Sequence, residues 1–537
     1  MRFLAISAAL LLVSIIFVAS PGAIYSASGE ADFPLPLLTY LWPLLIAGFA
    51  TVAIVAVLAN LLPQKARSVL TVALTFLALM VLAETYILLP TFGAFTGASL
   101  DFSVSWLRYA AEASAIALAA ACAAMWIREP RFWAGACLAI CVLAAIPHLW
   151  TAFTEEKAIP AAIDEEEIFA VGESGLILVL LDGFPSDVFE EIVEADGSWR
   201  ERLSGFVYYP DTVGVSTTTF IALPSIHSGS TFSPNTALQP YFTGTIRDRS
   251  FLTKLSIAGY TSLLVNPMNG VCPTSVRCVA GVELLDRPST IRGVGWARLI
   301  GLSLFKAAPL AAKETMYDGG AFLLPSLVAD QRVTDHNVEG FETLSLFAEN
   351  LRDGATGPTA KFVHVLTPHL PVVFKEDCSF AGQPIPATRE AFVSQSRCAL
   401  ESFGRVVDAL KKKGLYDTTV IILLSDHGQA IPSMKADHEG EWRKLSGWGN
   451  PLLAVKPLNA RGPMEVSTVP RWLPEVPSIA CKETAACEER VVAVDGLRVF
   501  NYYEWKNEYW SADSLPVKQY SVTGPPWKSG SWESIAP

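Results

Sequence analysis

The sequence predicts a two-part chain: a five-helix transmembrane domain over residues 1–150, then an α/β domain with a mostly parallel sheet over residues 173–537. Three observations carry this. The chain is 51% hydrophobic, and its apolar residues crowd into the first 150 positions. Beyond residue 173, short apolar runs rich in Val, Ile and Leu alternate with stretches of helical character. One of these runs ends directly in Asp182, and another is followed by Ser425-Asp426-His427.

The predicted spans are Phe3–Ser20, Leu37–Leu62, Val69–Leu89, Leu107–Ile127 and Phe132–Trp150. Each is near or above the roughly 20 apolar residues a helix needs to cross a bilayer. Pro147 is expected to end the last one. Arg2, Lys65, Arg67, Arg128 and Arg131 fall on one side of this topology, and Glu30, Asp32 and Asp101 on the other. The positive-inside rule then puts the N-terminus in the cytoplasm and everything after Trp150 outside. Met-Arg, an apolar run and Val18-Ala19-Ser20 also fit a cleaved signal peptide, an alternative that leaves the orientation unchanged.

Residues 151–172 read as an acidic linker around Asp164-Glu165-Glu166-Glu167. After it, strands are predicted at Leu176–Leu181, Thr261–Val265, Lys361–Leu366, Val420–Leu424 and Leu452–Val455. Helices are predicted at Ser186–Glu194, Ser250–Ala258, Gly340–Arg352 and Thr388–Lys413, the last closed by three lysines and Gly414. Strands apolar on both faces and alternating with helices belong to a parallel sheet with helices on each side. Such sheets bind ligands at the carboxyl ends of their strands. The Tyr-, Trp- and Pro-rich tail after Phe500 shows no chemistry of its own.

Six cysteines of the second part fall in three local couples, Cys272/Cys278, Cys378/Cys398 and Cys481/Cys487. Outside the cytoplasm these read as disulfides, although six cysteines permit about 15 connectivities. A structural zinc cluster is the competing reading, and no couple has the tight spacing it prefers. Cys122, Cys137 and Cys141 lie within spans as packing residues. A net charge of −12 and the lack of a basic stripe argue against nucleic acid as partner.

The chemistry-bearing residues sit where the topology predicts a ligand. Ser425-Asp426-His427-Gly428 ends the strand Val420–Leu424, and Asp182-Gly183 ends Leu176–Leu181. Between them lies a hydroxyl loop, Ser216-Thr217-Thr218-Thr219, ahead of Pro224-Ser225 and Ser228-Gly229. A carboxylate and an imidazole side by side suit a divalent cation such as Zn²⁺. Asp182, Asp426 and His427 are the predicted protein ligands, with a threonine oxygen as the fourth.

This order of strand-end carboxylate, hydroxyl loop and strand-end Asp-His resembles the alkaline phosphatase superfamily. Within it, the membrane anchor resembles the sulfatase-like phosphoethanolamine and phosphoglycerol transferases, the branch that includes lipoteichoic acid synthases. The resemblance implies an alkaline-phosphatase-like periplasmic domain on a multi-pass bacterial inner-membrane anchor. It implies Zn²⁺, with Mn²⁺ or Mg²⁺ as alternatives, a phospholipid donor, and an envelope glycan or lipid acceptor. Counting back from Ser228-Gly229 in the sulfatase register, and from Pro224 in the phosphoethanolamine transferase register, lands each time on Thr219 as nucleophile. Thr217 and Thr218 stay open as alternatives. Thr367-Pro368-His369 resembles the His-Gly-Pro segment of those transferases, and His438 falls near the spacing of their last histidine. The resemblance makes His369 and His438 ligands of a second metal or of the phosphate, with one shuttling a proton. His364 resembles a further histidine of the family, or else points into the core. His148, His227 and His336 read as structural or surface residues.

The chain also departs from its relatives. Those transferases use Glu where Asp182 stands, and the second-metal carboxylate of nucleotide pyrophosphatases is missing near His369. A threonine at the nucleophile position cannot become formylglycine, which disfavours sulfatase chemistry. Transfer is therefore expected ahead of a phosphodiesterase or phosphatase reaction, with a non-catalytic envelope protein as the third reading. Glu84, Arg108 and Glu112, at the outer ends of the third and fourth spans, are expected to hold a lipid head group or to staple helices through an Arg–Glu pair.

Overall fold

In a computed structural model the described residues are 1–28, 33, 35–90, 102–154, 165–285, 288–317, 322, 336–437, 439–487, 497–504, 510 and 512–535. They form two compact units, residues 1–161 with 288–333, and residues 162–287 with 334–537.

The first unit holds five helices long and apolar enough to cross a membrane: α1 (Arg2–Ala27), α2 (Leu37–Leu61), α3 (Gln64–Tyr86), α4 (Trp106–Trp126) and α5 (Pro130–Thr154). They match the predicted spans, with three differences, one being that α3 occupies Gln64–Tyr86 rather than the expected Val69–Leu89. Helix α1 runs on past Ser20 because a wide π turn at Ile15–Ala19 precedes Pro21. That turn shifts the hydrogen-bond pattern where proline has no N–H to give. Helix α5 continues through Pro147 to Thr154 rather than stopping there. Large apolar side chains such as Phe49, Ile54, Leu118 and Leu143 are exposed on these helices, as lipid-facing positions would be.

The sequence suggested one continuous domain from residue 173 onward, but the segment beginning at Pro288 belongs to the helical unit. Helix α6 (Pro288–Ala307) packs Leu299 and Ile300 against Tyr25, Leu37 and Tyr40, and α7 (Leu310–Tyr317) follows it. Apolar periodicity alone does not say which core an inserted helix will join.

The second unit is built on an eight-stranded sheet. Its strands are β1 (Gly175–Leu181), β2 (Val207–Tyr208), β3 (Thr261–Val265), β4 (Arg277–Val279), β5 (Thr359–Val365), β6 (Thr419–Leu424), β7 (Leu453–Lys456) and β8 (Glu465–Val466). The order is β8-β2-β7-β6-β1-β5-β3-β4. From β6 to β4 every pairing is parallel, while β7 is antiparallel to both of its neighbours. The five sequence-predicted strands are all present within a residue or two of the expected ends.

Both faces of β1 are covered, which explains its unbroken apolar run. Ile177, Val179 and Leu181 join one core with Phe189, Phe347 and Phe403, and Leu176, Leu178 and Leu180 join another with Ile221, Phe242 and Leu252. Burial of this kind is worth about 1.5–3 kcal/mol per large side chain. The helix Arg389–Lys413 starts with the Thr388 side chain accepting from the Ala391 amide and ends on Gly414 in the left-handed region. Disulfides join Cys272–Cys278, Cys378–Cys398 and Cys481–Cys487, as neighbour pairing anticipated.

Candidate active site

The carboxyl ends of β1, β5 and β6 lie side by side at the middle of the sheet, and each delivers polar side chains to one point. β1 delivers Asp182, which is fully buried, and the chain then turns at Gly183 with φ +69°. β6 delivers Asp426 and His427, both also buried. The two ends are tied together: Gly183 N donates to Asp426 Oδ1 at 3.2 Å and Phe184 N to Ser425 Oγ at 2.8 Å. His369 comes from the segment after β5.

The hydroxyl loop meets this group through the start of a ten-residue helix, Thr219–Ser228. Thr219 Oγ1 lies 3.3 Å from Asp182 Oδ2 and 3.2 Å from His427 Nε2. Two of its neighbours are bonded elsewhere. Ser216 Oγ donates to Asn501 O, and Thr217 Oγ1 exchanges hydrogen bonds with the backbone of Tyr503. Thr218 occupies the helix N-cap, with its carbonyl accepting from Ile221 and Ala222. The tail strand Arg498–Tyr502, which showed no chemistry in the sequence, thus holds the loop that presents Thr219.

Ligand atoms of Asp182, His369 and His427 all lie within 4.8 Å of one another. His427 Nδ1 donates to Gly428 O at 2.6 Å and His369 Nδ1 to Leu370 O at 2.7 Å. A proton held on Nδ1 leaves the Nε2 lone pair free to act as ligand or base. His427 Nε2 lies 3.3 Å from Asp426 Oδ2 and 3.6 Å from Asp182 Oδ1. Those two oxygens are buried and have no hydrogen-bond partner among the described residues. Two orphan carboxylate oxygens facing an imidazole nitrogen are costly unless a positive charge sits between them. Carboxylate and imidazole donors of this kind fit a divalent cation.

The electrostatics agree. Burial pushes the Asp182 carboxyl upward, but the His364 hydrogen bond and the nearby His369 and His427 rings hold it down at about 2. Burial works against a charged His427, yet Asp426 and Asp182 raise it above the ordinary histidine value.

His364, ambiguous in the sequence, faces the site: its Nε2 lies 3.2 Å from Asp182 Oδ2 and steadies that carboxylate. The strand period alone left its direction open. Gln429, directly after the Asp-His-Gly run, escaped the sequence reading and is buried beside Gly183. His438 lies outside the described residues. His227 is a core residue, stacked on Phe362 with Nδ1 2.9 Å from Ser250 Oγ.

The charged groups of the helical unit are arranged otherwise than expected. Arg108 reaches the Leu88 carbonyl, whereas Glu112 accepts from the Leu310 amide. Lys313 is buried 3.9 Å from Glu84, with its ammonium on the carbonyls of Phe305 and Lys306. The partner of these carboxylates comes from the inserted segment, which no local pattern could reveal.

Residues 209–465 match the family model described as Sulfatase. Most of that stretch lies in the second unit, a sulfatase-like α/β domain with a mostly parallel central sheet. No curated protein matches the chain. Among solved structures, a phosphonate monoester hydrolase from Silicibacter pomeroyi is similar, with TM-score 0.41, 13% identity, and coverage of 65% of this chain and 85% of that one. Another, from Agrobacterium radiobacter, gives 0.38 and 12%, covering 66% and 90%. A 2-O GAG sulfatase gives 0.38 and 9%, covering 65% and 82%.

Proposed function

We propose that this protein is a membrane-anchored, metal-dependent phosphotransferase. In this reading it moves a phospho-substituent of the phosphoethanolamine or phosphoglycerol type from a phospholipid to an envelope glycan or lipid. The observation that carries the proposal is the position of Thr219. Its hydroxyl is within hydrogen-bond distance of Asp182 and His427 at a helix N-terminus, while those of Ser216 and Thr217 are bonded to the tail. A threonine there supports phosphoryl rather than sulfuryl chemistry, because it cannot be converted to formylglycine.

Asp182, Asp426 and His427 would hold the cation, Zn²⁺ by the chemistry of the donor set, with Thr219 as the fourth ligand. When bound, the cation neutralises charge and lowers the pKa of a hydroxyl. Thr219 Oγ1 attacks phosphorus, the bond to the diacylglycerol oxygen breaks, and the substituent rests on threonine. The threonine proton passes to a base, and the departing oxygen takes one from an acid. In this reading His369 takes up that proton in one half-reaction and returns it in the other. The first amides of the Thr219–Ser228 helix favour the anionic phosphate. His369, with His438, is assigned to the phosphate or a second cation. The five helices would keep the domain at a lipid surface, and the basic connectors support a periplasmic side of the inner membrane for it.

The test is to incubate detergent-purified, zinc-loaded protein with phosphatidylethanolamine or phosphatidylglycerol and map the adduct by intact-mass and peptide mass spectrometry. A phospho-substituent on Thr219, absent from Thr219→Ala, is expected. Phospholipid turnover undiminished in Thr219→Ala overturns the covalent-threonine reading. Release of the free substituent to water, with no transfer to any envelope acceptor, moves the enzyme to the phosphodiesterases.

A further inference from the structure

Gln429 is almost wholly buried, and its Nε2 has no hydrogen-bond partner among the described residues. The orientation of the amide is decided by its other end, because Oε1 accepts from the Ala430 amide at 3.4 Å. The nitrogen therefore faces the turn after β1. A methyl group placed on Gly183 would stand 2.6 Å from Gln429 Nε2 and 3.1 Å from His369 Cδ2. On its other side the same turn donates its amide to Asp426. The unsatisfied donor thus borders the point where Asp182, His369 and His427 converge.

A buried amide left without an acceptor is destabilising, and a folded protein keeps such a group where a ligand supplies what the chain does not. The missing partner must be an oxygen acceptor. The backbone around it is committed: Gly428 N and Gln429 N donate to the carbonyls of Trp448 and Gly447. We propose that Gln429 is a substrate-contacting residue whose amide N–H groups hold a non-transferring oxygen of a tetrahedral phospho group. This rests on the phosphoryl-transfer reading above and deepens it. The bound group is the phosphate itself, so the contact is common to any lipid donor and independent of its head group. The Gln429 amide is neutral. It can donate to phosphate oxygens without adding a charge that would compete with the cation for Asp182 and Asp426.

The test uses the full chain in detergent, loaded with zinc and titrated with orthovanadate as the tetrahedral probe. Gln429→Leu keeps the bulk and removes the donor, and Gln429→Glu keeps the shape and substitutes an acceptor. Zinc content is expected to stay at the wild-type level in both. Vanadate affinity is expected to fall about 10- to 100-fold in Gln429→Leu, the size of a lost hydrogen bond to a charged group, and at least as far in Gln429→Glu. Wild-type vanadate affinity in zinc-bound Gln429→Leu and Gln429→Glu overturns the proposal, as does wild-type protein that takes zinc but no vanadate. If Gln429→Leu loses its zinc, packing has been disturbed and Gln429→Glu decides alone. Wild-type protein without zinc defeats the metal reading, and vanadate binding that still falls in the two variants leaves the Gln429 contact standing.

Discussion

Replacing Gly183 with alanine tests the geometry of the site without changing the identity of any proposed ligand. Gly183 adopts φ +69°, a conformation that costs an alanine roughly 1–2 kcal/mol. The new methyl would also meet Gln429 Nε2 at 2.6 Å and His369 Cδ2 at 3.1 Å, and overpacking of this kind costs about 1–3 kcal/mol. Some of that cost is relieved by moving the two side chains, since the first contact is the end of a flexible amide. The altered turn also shifts the Gly183 amide, which supports the proposed ligand Asp426. Zinc affinity is then expected to fall about 10- to 100-fold, as when the support of a metal ligand is removed. The melting temperature of the metal-free protein should drop on the order of 5 °C. The assay is competition for zinc against a chelator of known affinity, paired with thermal unfolding. Gly197→Ala is the control, because it has open space around it and ordinary dihedrals, and it should stay within about 0.5 kcal/mol of wild type. If Gly183→Ala matched this control in both measurements, the crowding argument and the placement of His369 would be wrong.

Four further outcomes follow from the same geometry. Asp426→Ala and His427→Ala should each release the bound zinc measured by elemental analysis, and full occupancy in both would remove the basis of the site. Thr219→Ala should retain zinc while losing transfer, whereas Thr217→Val should act through stability, since Thr217 is bonded to Tyr503 rather than to the site. Burial, helped by nearby His364, pushes His227 from 6.5 down to about 3, so below pH 6.5 the unfolded chain takes up a proton that the folded chain refuses. Stability is therefore complete above that value and declines on acidification, by about 2 kcal/mol at pH 5, and His227→Phe should lose this share of the pH dependence in urea unfolding. Removing the Cys378–Cys398 bridge by double serine substitution should cost about 3 kcal/mol, given the length of the loop it closes.

What the sequence determined by itself was local or periodic. Five apolar helices follow from composition, because a segment of that length and apolarity has few other soluble or membrane states. The strands ending in Asp182 and Asp426-His427 follow from apolar runs that only a doubly covered sheet can bury, and the strand-end rule puts those side chains together. Neighbouring cysteines pair because short loops close readily. Tertiary structure alone decided the rest. Which of three consecutive threonines is presented depended on Asn501 and Tyr503, distant residues that occupy Ser216 and Thr217 and leave Thr219 facing Asp182. The direction of His364 depended on the pairing of its strand with β1, and the surroundings of the Gln429 amide on a turn far away in the chain. The helix Pro288–Ala307 joined the membrane unit, and Lys313 behind it met Glu84, because burial is settled by the surfaces available after folding. Periodicity says that a face must be covered; it carries no information about which distant segment covers it.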